Sequence, residues 1–400
     1  MAGGAPRGGP RRLASGDRVL TVAAMGEGRA GGAGGSGRHR APARFPFAPI
    51  LVGLVLVAAV VLVVRALASG GGGPGGDRSP RTAGRISSPG SPAPSPTPPP
   101  TSGPGAEGCC TTPTPVAKGA LVIHGAGDTN VDSSYIGVPP SRYDTLLSGM
   151  HGLFTRDDLT VVNLECSVTR LGTPVPKEFN FHGDPAALPY LKRGGVDVAN
   201  MANNHSYDFG PEALVDTRRN IERAGLAAVG AGVDTAQAVK AAILHVKGWT
   251  IAVVGFDKVV DPFPEAVAGP HHPGTACGHD VDCMVTATRR AAAVSDLVVV
   301  DIHWGVELDT RPRADDVAIG HRLVDAGADV IFGGHSHRLQ PLEMYRGRPI
   351  FYSLGNFVWP HLSAASATTA VAEVHVSPAG RFTARLLPAE IESGGHPVLR

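Results

Sequence analysis

Short apolar runs alternate with amphipathic stretches through most of the second part of the chain. Continuous Val, Ile and Leu runs such as LVVVDI are typical of strands buried on both faces, and their alternation with helical patterns predicts βαβ units. The predicted strands span residues 120–124, 159–164, 196–201, 226–229, 251–256, 297–302 and 329–333. The predicted helices span residues 211–224, 284–294 and 313–326.

The last part of the chain shows a different pattern. Strand-like segments at 342–345, 349–353, 370–376 and 381–387 follow one another, with glycine-containing turns at Gly347 and Gly380. Such spacing is typical of antiparallel strands joined by tight turns. Together the patterns predict one layered α/β domain over residues 119–400, with mixed β-sheets flanked by helices and enough chain to bury a sizeable core.

An almost unbroken apolar run, FPFAPILVGLVLVAAVVLVV, occupies residues 45–64 and ends at Arg65. About twenty such residues suffice for a transmembrane helix. The eight arginines of segment 1–44, against Asp17 and Glu27 as its only acidic residues, predict a cytoplasmic N-terminus. Segment 45–65 is therefore predicted to be a single-pass anchor in the cell membrane, with the C-terminal domain outside the cytoplasm.

The competing interpretation is a cleaved signal peptide, because residues 66–68 (Ala-Leu-Ala) resemble a small-x-small cleavage site. The apolar run is longer than the apolar region of a typical signal peptide. The basic region before it is also far too long for a signal peptide. Under either interpretation the C-terminal domain lies outside the cytoplasm. Segment 66–118, with PSPTPPP and repeated glycine runs, is predicted to be a disordered linker that holds the domain away from the membrane.

Charge and cysteine content narrow the partners and the compartment. The formal net charge is +1, which gives no electrostatic basis for nucleic acid as a partner. Cys277 and Cys283 bracket the short polar loop GHDVD, and in an exported protein this spacing predicts a small disulfide. Free thiols are the other interpretation of these cysteines. The sequence has no CxxC spacing, which argues against a structural zinc knuckle.

Five of the apolar runs lead into residues that can bind metal ions. The residues are Asp128, Glu165, Asn204 with His205, His303, and His335 with His337. Each alone has a structural explanation, such as a turn or a buried histidine. Because ligands of open α/β sheets gather beyond the carboxyl ends of the strands, five such coincidences predict a functional site there.

Local spacing suggests which of these side chains can face a metal ion and which can face the substrate. In an extended segment, residues i and i+2 point the same way, so His335 and His337 can face one site. The neighbours Asn204 and His205 point oppositely, which lets one face a metal and the other the substrate. Carboxylate, imidazole and amide ligands suit divalent Mn, Zn or Fe, and two ions ~3.5–4 Å apart can hold an oxyanion between them. The candidate outer acceptors for the ligand histidines are Asp208, Asp301 and Glu307.

Six motifs along the chain resemble those of one family. They are GDTN at 127–130, NLE at 163–165, ANNHSYDFG at 202–210, HWGVE at 303–307, GGHSHRLQPLE at 333–343 and YSLGNF at 352–357. In this order they resemble the CapA family of capsule-synthesis proteins, over residues 119–357. That family is related to the calcineurin-like metallophosphoesterases and is associated with poly-γ-glutamate capsule production and export.

The resemblance implies a role for each site residue. Asp128 and His337 resemble ligands of a first metal, Glu165 the bridging carboxylate, and Asn204, His303 and His335 the ligands of a second metal. His205 resembles the histidine that protonates the leaving group or stabilises the transferred phosphoryl group. Two departures stand out: metallophosphoesterases open with Asp-x-His, where this chain has Asn130, and Glu165 replaces the usual bridging aspartate.

Three classes of function follow. The first is a CapA-like envelope protein, whose partners would be poly-γ-glutamate or a related anionic polymer and a capsule-synthesis complex. The second is a general metal-dependent envelope phosphoesterase. The third is a non-catalytic scaffold that binds an acidic polymer. The cations near the motifs that could meet a polyanion are Lys177, Arg311, Arg313 and Arg338.

Overall fold

The computed structural model describes residues 117–259 and 263–400. The predictions for segments 1–44 and 45–65, and for all but the last two residues of the linker 66–118, lie outside the described residues. Within the part of the chain that is described, no helix is long and apolar enough to cross a membrane.

The secondary structure alternates strands and helices as the sequence pattern predicts. The strands are β1 (Leu121–Thr129), β2 (Leu159–Leu164), β3 (Ser167–Val168), β4 (His182–Gly183), β5 (Val198–Asn200), β6 (Ala227–Val229), β7 (Ala231–Gly232), β8 (Ala242–Val246), β9 (Trp249–Asp257), β10 (Gly274–Thr275), β11 (Leu297–His303), β12 (Val330–Gly334), β13 (Leu342–Tyr345), β14 (Arg348–Phe351), β15 (Asn356–Val358), β16 (Thr368–Val376), β17 (Phe382–Ile391) and β18 (Pro397–Leu399). The α-helices are α1 (Ser133–Ile136), α2 (Leu188–Arg193), α3 (Gly210–Arg223), α4 (Thr235–Ala238), α5 (Val281–Ala292), α6 (Ala314–Asp325) and α7 (Ala364–Ala367). Short 3₁₀ turns occur at Pro140–Thr145, Ser148–Met150, Pro185–Ala187 and Pro264–Ala266.

Two larger mixed sheets organise the domain. The first has the order β18-β17-β16-β1-β2-β5-β6, with β15 also paired to β1, and the second has the order β13-β14-β12-β11-β9-β8. In the first sheet, β1, β2, β5 and β6 run parallel, whereas β16, β17 and β18 are antiparallel. In the second, β9, β11, β12 and β14 run parallel between antiparallel edge strands. The prediction of a mixed α/β domain with mixed sheets and flanking helices is confirmed.

The sheets pack face to face with helices on their outer sides. Ile123 and Val161 of the first sheet share one buried cluster with Val299 and Phe332 of the second. A Cβ at Gly125 would lie 2.5 Å from the Phe332 ring, so this glycine permits the close approach of the two sheets. Apolar residues of α2 and α3 cover the first sheet, and those of α5 and α6 cover the second. This order of layers brings the carboxyl ends of both sets of parallel strands to a shared edge.

The structure adds elements that the apolar pattern does not reveal. Strand β8 is an edge strand with alternating half-buried and exposed residues, so its sequence AILHV carries only a weak signal. Strand β15 has only three residues, but it pairs in parallel with β1 and places Asn356 beside Asp128. Strand β1 itself extends to Thr129, which puts Asp128 inside the strand.

The predicted disulfide is confirmed. Cys277 and Cys283 are bonded, and the bond links the loop before α5 to the first turn of that helix. Asp280 caps the same helix by accepting a hydrogen bond from the backbone N–H of Cys283, 2.9 Å away. Among the described residues, Cys166 is a buried free thiol.

Candidate metal centre

The strands of both sheets deliver polar side chains to their common carboxyl edge. Asp128 lies near the end of β1, and Glu165 directly follows β2. Across the gap, His303 is the last residue of β11 and His335 is the first residue after β12. All four side chains are buried. Residues from two separate sheets therefore meet in one cluster, because the sheets face each other with their parallel strands ending at the same edge.

The cluster contains two groups of ligand atoms that share Glu165. One group is Glu165, His303 and His335, and the other is Asp128, Glu165 and His337, with ligand atoms within 4.8 Å of one another in each group. Glu165 Oε1 lies 3.6 Å from His303 Nε2 and 3.9 Å from His337 Nε2. Asp128 Oδ2 lies 3.3 Å from His337 Nδ1. This arrangement can hold two cations with one carboxylate between them.

The other two predicted site residues lie against the same cluster. Asn204 Oδ1 is 2.9 Å from His303 Nε2, so its amide oxygen can join the group that contains His303. His205 Nε2 lies 4.0 Å from Glu165 Oε1 and belongs to neither group. The structure thus brings all seven predicted residues together, with His205 next to Glu165 but outside the two ligand groups.

Unsatisfied polar atoms in the cluster test whether these residues fit a cation. Both carboxylate oxygens of Glu165 and Nδ1 of His335 are buried without a hydrogen-bond partner in the described part of the chain. Leaving such atoms unpaired costs free energy, on the order of 1–3 kcal/mol per group, unless another partner satisfies them. A divalent cation is such a partner, and the mixture of carboxylate, imidazole and amide suits Mn, Zn or Fe. The residues present fit the ions that the sequence predicts.

Burial sets the protonation of the ligands. Burial, with the nearby Asp128 carboxylate, raises the pKa of Glu165 well above its ordinary value. Burial, with the neighbouring histidines, lowers the pKa of His335 to about 3 and that of His303 well below its ordinary range. Both rings are therefore neutral near pH 7, which is the form that binds metal ions.

His337 differs from the other two ligand histidines. Burial is the largest single influence and lowers the pKa, but the hydrogen bond to Asp128, the charge of that carboxylate and the hydrogen bond to Asn356 together outweigh it and leave the pKa above the ordinary value. A cation bound between His337 and Asp128 would oppose protonation of this ring. Asn356 Oδ1 lies 2.8 Å from Nδ1 of His337 and fixes the orientation of the ring.

A network of amide side chains, which the sequence pattern does not predict, supports the cluster. Asn163 Nδ2 donates to Asp128 Oδ1 at 2.8 Å and lies 3.1 Å from His303 Nδ1. Asn203 in turn donates to Asn163 Oδ1 at 3.0 Å. The signal available in the sequence was the presence of Asn163 in the NLE motif and of Asn203 in the ANNHSYDFG motif.

Of the three predicted outer acceptors, one contacts a site histidine. Asp208 Oδ2 lies 2.8 Å from His205 Nδ1. Asp301 instead accepts a hydrogen bond from Asn200 at 2.6 Å, which links the two sheets, and burial raises its pKa to about 8. Glu307 is exposed at the mouth of the adjoining pocket. Asp208 therefore orients His205 rather than a histidine of the two ligand groups.

His205 is held so that one nitrogen faces the cluster. Asp208 fixes Nδ1, and the same carboxylate accepts from Lys177 Nζ at 2.6 Å and from the backbone N–H of Phe181 at 2.7 Å. Burial lowers the pKa of His205, although the hydrogen bond with Asp208 acts against this. Nε2 is the nitrogen left to accept or donate a proton at the centre. Lys177 lies mostly buried in this network rather than on a surface open to a polymer.

The comparisons with known proteins agree with the motifs. A family model described as bacterial capsule synthesis protein PGA_cap matches residues 116–361, more than half of the chain. The chain belongs to this PGA_cap family. The predicted CapA resemblance is thereby confirmed.

Relatives with curated names carry the same association. The PGA biosynthesis protein CapA of Bacillus subtilis (strain 168) is 31% identical over 251 residues, covering 62% of this chain and 65% of the relative. The capsule biosynthesis protein CapA of Bacillus anthracis is 34% identical over 223 residues, covering 54% of this chain and 53% of the relative. The chain thus spans between about half and two thirds of the length of these relatives. Among solved structures, the NAD nucleotidase NadN of Haemophilus influenzae shows a TM-score of 0.41 at 14% identity, covering 70% of this chain and 53% of that one.

One departure from the metallophosphoesterase motif has a structural explanation in this PGA_cap member. Asn130 Oδ1 accepts a hydrogen bond from the backbone N–H of Asp132 at 2.8 Å. Asp132 uses its own carboxylate to cap α1 and to accept from the backbone N–H of His182. The amide oxygen of Asn130 is therefore engaged in a turn.

Gly334 allows the cluster to close, and this makes a testable prediction. A Cβ at this position would lie 2.4 Å from Asp128 Oδ1 and 3.4 Å from His303 Nδ1. Gly334→Ala is therefore expected to push Asp128 aside and to lower metal affinity by about tenfold or more, at the scale of disturbed ligand support. The measurement is metal retention by elemental analysis after dialysis. Gly320→Ala in α6 is the control and should retain metal, because the nearest contacts of a Cβ there are ordinary ones with Ile350 and Trp304 at 3.4 Å.

Proposed function

We propose that this chain is a membrane-anchored, extracytoplasmic member of the PGA_cap family. It acts in the synthesis or export of poly-γ-glutamate or a related surface polymer, through a centre of two divalent cations. The observation that carries the proposal is Glu165, a buried carboxylate with no hydrogen-bond partner in the described residues, shared by two ligand groups beside an oriented histidine. The relatives named for PGA and capsule biosynthesis support the polymer association.

The residues divide into ligands and a proton-handling group. Asp128, Glu165 and His337 would hold one cation, and Glu165, Asn204, His303 and His335 would hold the other. When bound, the cations supply positive charge for an anionic group and lower the pKa of a coordinated water. His205, oriented by Asp208, accepts or donates a proton at Nε2. This arrangement supports metal-dependent hydrolysis, and a phosphoester is the substrate class best suited to a clamp of two cations.

Gene deletion and complementation test the cellular role. Deleting the gene is expected to reduce cell-associated anionic polymer, measured by its mass and amino-acid content after hydrolysis. The wild-type gene should restore the polymer, and His205→Ala should not, because the chemistry at the centre is lost. His245→Ala, on the exposed edge strand β8, is the matched control and should restore it.

The outcomes separate the three classes of function. Unchanged polymer in the deletion strain, together with metal-dependent hydrolysis by the purified protein, would favour a general envelope phosphoesterase. Full restoration by both His205→Ala and His335→Ala would contradict a catalytic role and favour the polymer-binding scaffold.

The proposed location makes a separate prediction. The arginine-rich segment before residues 45–64 supports an anchor with its N-terminus in the cytoplasm. A reporter enzyme that is active only outside the cytoplasm should be active when it is fused after Arg400. The intact chain should fractionate with the membrane. Recovery of a soluble exported form beginning near Ser69 would instead identify a cleaved signal peptide.

A further inference from the structure

A cavity of about 230 Å³ opens directly from the candidate metal centre. His205, His337 and Asn356 form part of its lining, so a group held at the centre extends into this space. For scale, an apolar cavity of ~150 Å³ in a protein interior is large enough to hold benzene. The cavity is therefore large enough for a ring or a short chain attached to a bound anion.

The walls of the cavity are aromatic. Phe181 packs against the His205 ring with centroids 4.1 Å apart, and Trp359 packs against His337 at 4.9 Å. Tyr135 lies 4.4 Å from Phe181 and contacts Trp359 edge-on at 5.5 Å. Phe181 and Trp359 are almost fully buried. These contacts hold the rings in place and present an apolar surface next to the two site histidines.

The rim of the cavity is also apolar, although it faces solvent. Phe179, Leu308 and Leu362 line it with 54%, 61% and 66% of their surfaces exposed, and they come from three different loops. Leu308 has a positive φ of 67°, which is unfavourable for leucine, and its backbone N–H is fixed by the Ser336 carbonyl at 2.8 Å. Exposed apolar residues gathered around a polar centre mark a surface that a ligand covers.

The charges near the cavity fit a single anionic head better than a polyanion. Arg338 lines the cavity and donates to the His337 carbonyl at 2.7 Å, which holds its positive charge beside the centre. Glu307 lies at the mouth, where it would repel a chain of carboxylates. The three exposed apolar side chains at the rim likewise offer no hydrogen-bond donors for repeated carboxylate groups. The favoured ligand therefore has its negative charge at the metal centre and an apolar portion outside it.

We infer that the centre acts on a phosphoester whose organic group is apolar, either a ring or an aliphatic chain, rather than on a strand of polyglutamate. The inference rests on the proposed function of the metal centre. The phosphate would lie between Arg338 and the ligand groups that share Glu165, and the organic group would lie against Trp359 and Tyr135. The apolar group then leaves the cavity between Leu308 and Leu362.

Binding of non-hydrolysable phosphonates tests this inference separately from activity. The full-length protein, loaded with Mn²⁺, is titrated by calorimetry with methyl-, butyl- and benzylphosphonate and with a tri-γ-glutamate peptide. Butyl- or benzylphosphonate should bind about tenfold tighter than methylphosphonate or more, because each buries additional apolar surface. The butyl and benzyl arms distinguish a chain from a ring.

Rim variants provide the matched controls. The double variant Leu308→Ser, Leu362→Ser should lose most of the preference for the larger phosphonates while binding methylphosphonate as before. Val294 is 65% exposed and lies just before the first residue of β11, at the end of that strand away from the metal centre. The control variant Val294→Ser should therefore bind all probes like wild type. Equal affinity for the three phosphonates, or tightest binding of the peptide, would overturn the inference and leave the metal centre standing. Failure of the protein to bind Mn²⁺ would overturn the proposed function and the inference together.

Discussion

Replacing Glu165 by glutamine is expected to empty both cation sites at once. Glu165 is the one residue common to the two ligand groups, so its substitution weakens both, whereas loss of His335 or His337 weakens one. A neutral amide is a far poorer ligand than a carboxylate between two cations. We expect metal affinity to fall by at least ~100-fold, beyond the 10–100-fold typical of outer-shell changes.

The same substitution should not destabilise the metal-free protein, although it weakens metal binding. In the metal-free protein, Glu165 is a buried carboxyl group whose oxygens lack hydrogen-bond partners among the described residues. Removing its charge should leave the metal-free variant no less stable than metal-free wild type near neutral pH, because no charge then has to be desolvated at this buried position. Adding Mn²⁺ should raise the melting temperature of wild type but not of the variant.

The pH dependence of this stability difference has a defined sign. The pKa of Glu165 in the folded protein lies above the ordinary 4.5, because burial disfavours the charged form. The folded state therefore binds this proton more tightly than the unfolded state, and its contribution to stability declines as the pH rises above about 4.5. The glutamine side chain of the variant does not titrate, so the advantage of the metal-free variant should grow from pH 4.5 toward neutrality.

Elemental analysis, thermal unfolding and hydrolysis rates measure these effects together. Glu212→Gln, an exposed position in the first turn of α3, is the matched control and should behave as wild type. Retention of both metals by Glu165→Gln would contradict a shared carboxylate. A metal-free variant that unfolds well below metal-free wild type would contradict the expected stability result, because it would show that Glu165 supports the fold in the absence of metal.

Replacing His205 by alanine is expected to abolish most hydrolysis while the metal remains. His205 lies in neither ligand group, and its Nδ1 is fixed by Asp208 with Nε2 facing Glu165. Removing a positioned proton donor or acceptor typically costs ~10²–10⁴-fold in rate. We expect a loss of this size in kcat for a phosphoester, with wild-type metal content.

Two further variants make this test specific. Asp208→Asn should reduce the rate less than His205→Ala, because the imidazole remains but its Nδ1 partner is weakened. His245→Ala, on the edge strand β8, should leave the rate unchanged. Loss of metal from His205→Ala would show that this ring is a ligand, and an unchanged rate would show that it handles no proton.

The sequence predicted the strands that carry the site because they are strongly apolar. Strands buried on both faces, such as β2 and β11, stand out as continuous apolar runs. The candidate ligand Glu165 directly follows β2, and the candidate ligand His303 ends β11. The i, i+2 spacing placed His335 and His337 at one site. Here, however, both have positive φ, so the segment is a strained turn rather than an extended strand. The two side chains therefore face the same site because of this turn, and not because of the alternation of an extended strand.

Contacts between distant segments were beyond prediction from this sequence. Asn356 reaches His337 only because the three-residue strand β15 pairs with β1, and so short a strand has no clear pattern. Lys177 looked like a surface cation, yet the fold buries it against Asp208. The aromatic cavity joins Tyr135, Phe181 and Trp359 from three separate segments. Pairing of this kind depends on how the sheets pack, which local sequence does not specify.

The metal content of the purified full-length protein tests the central claim most directly. After incubation with Mn²⁺, Zn²⁺ or Fe²⁺ near neutral pH and removal of free ions, the centre should retain about two ions per chain. His303→Ala and His337→Ala should each lower that number toward one, since they belong to different ligand groups. Retention of no divalent metal by the folded wild-type protein would contradict the account.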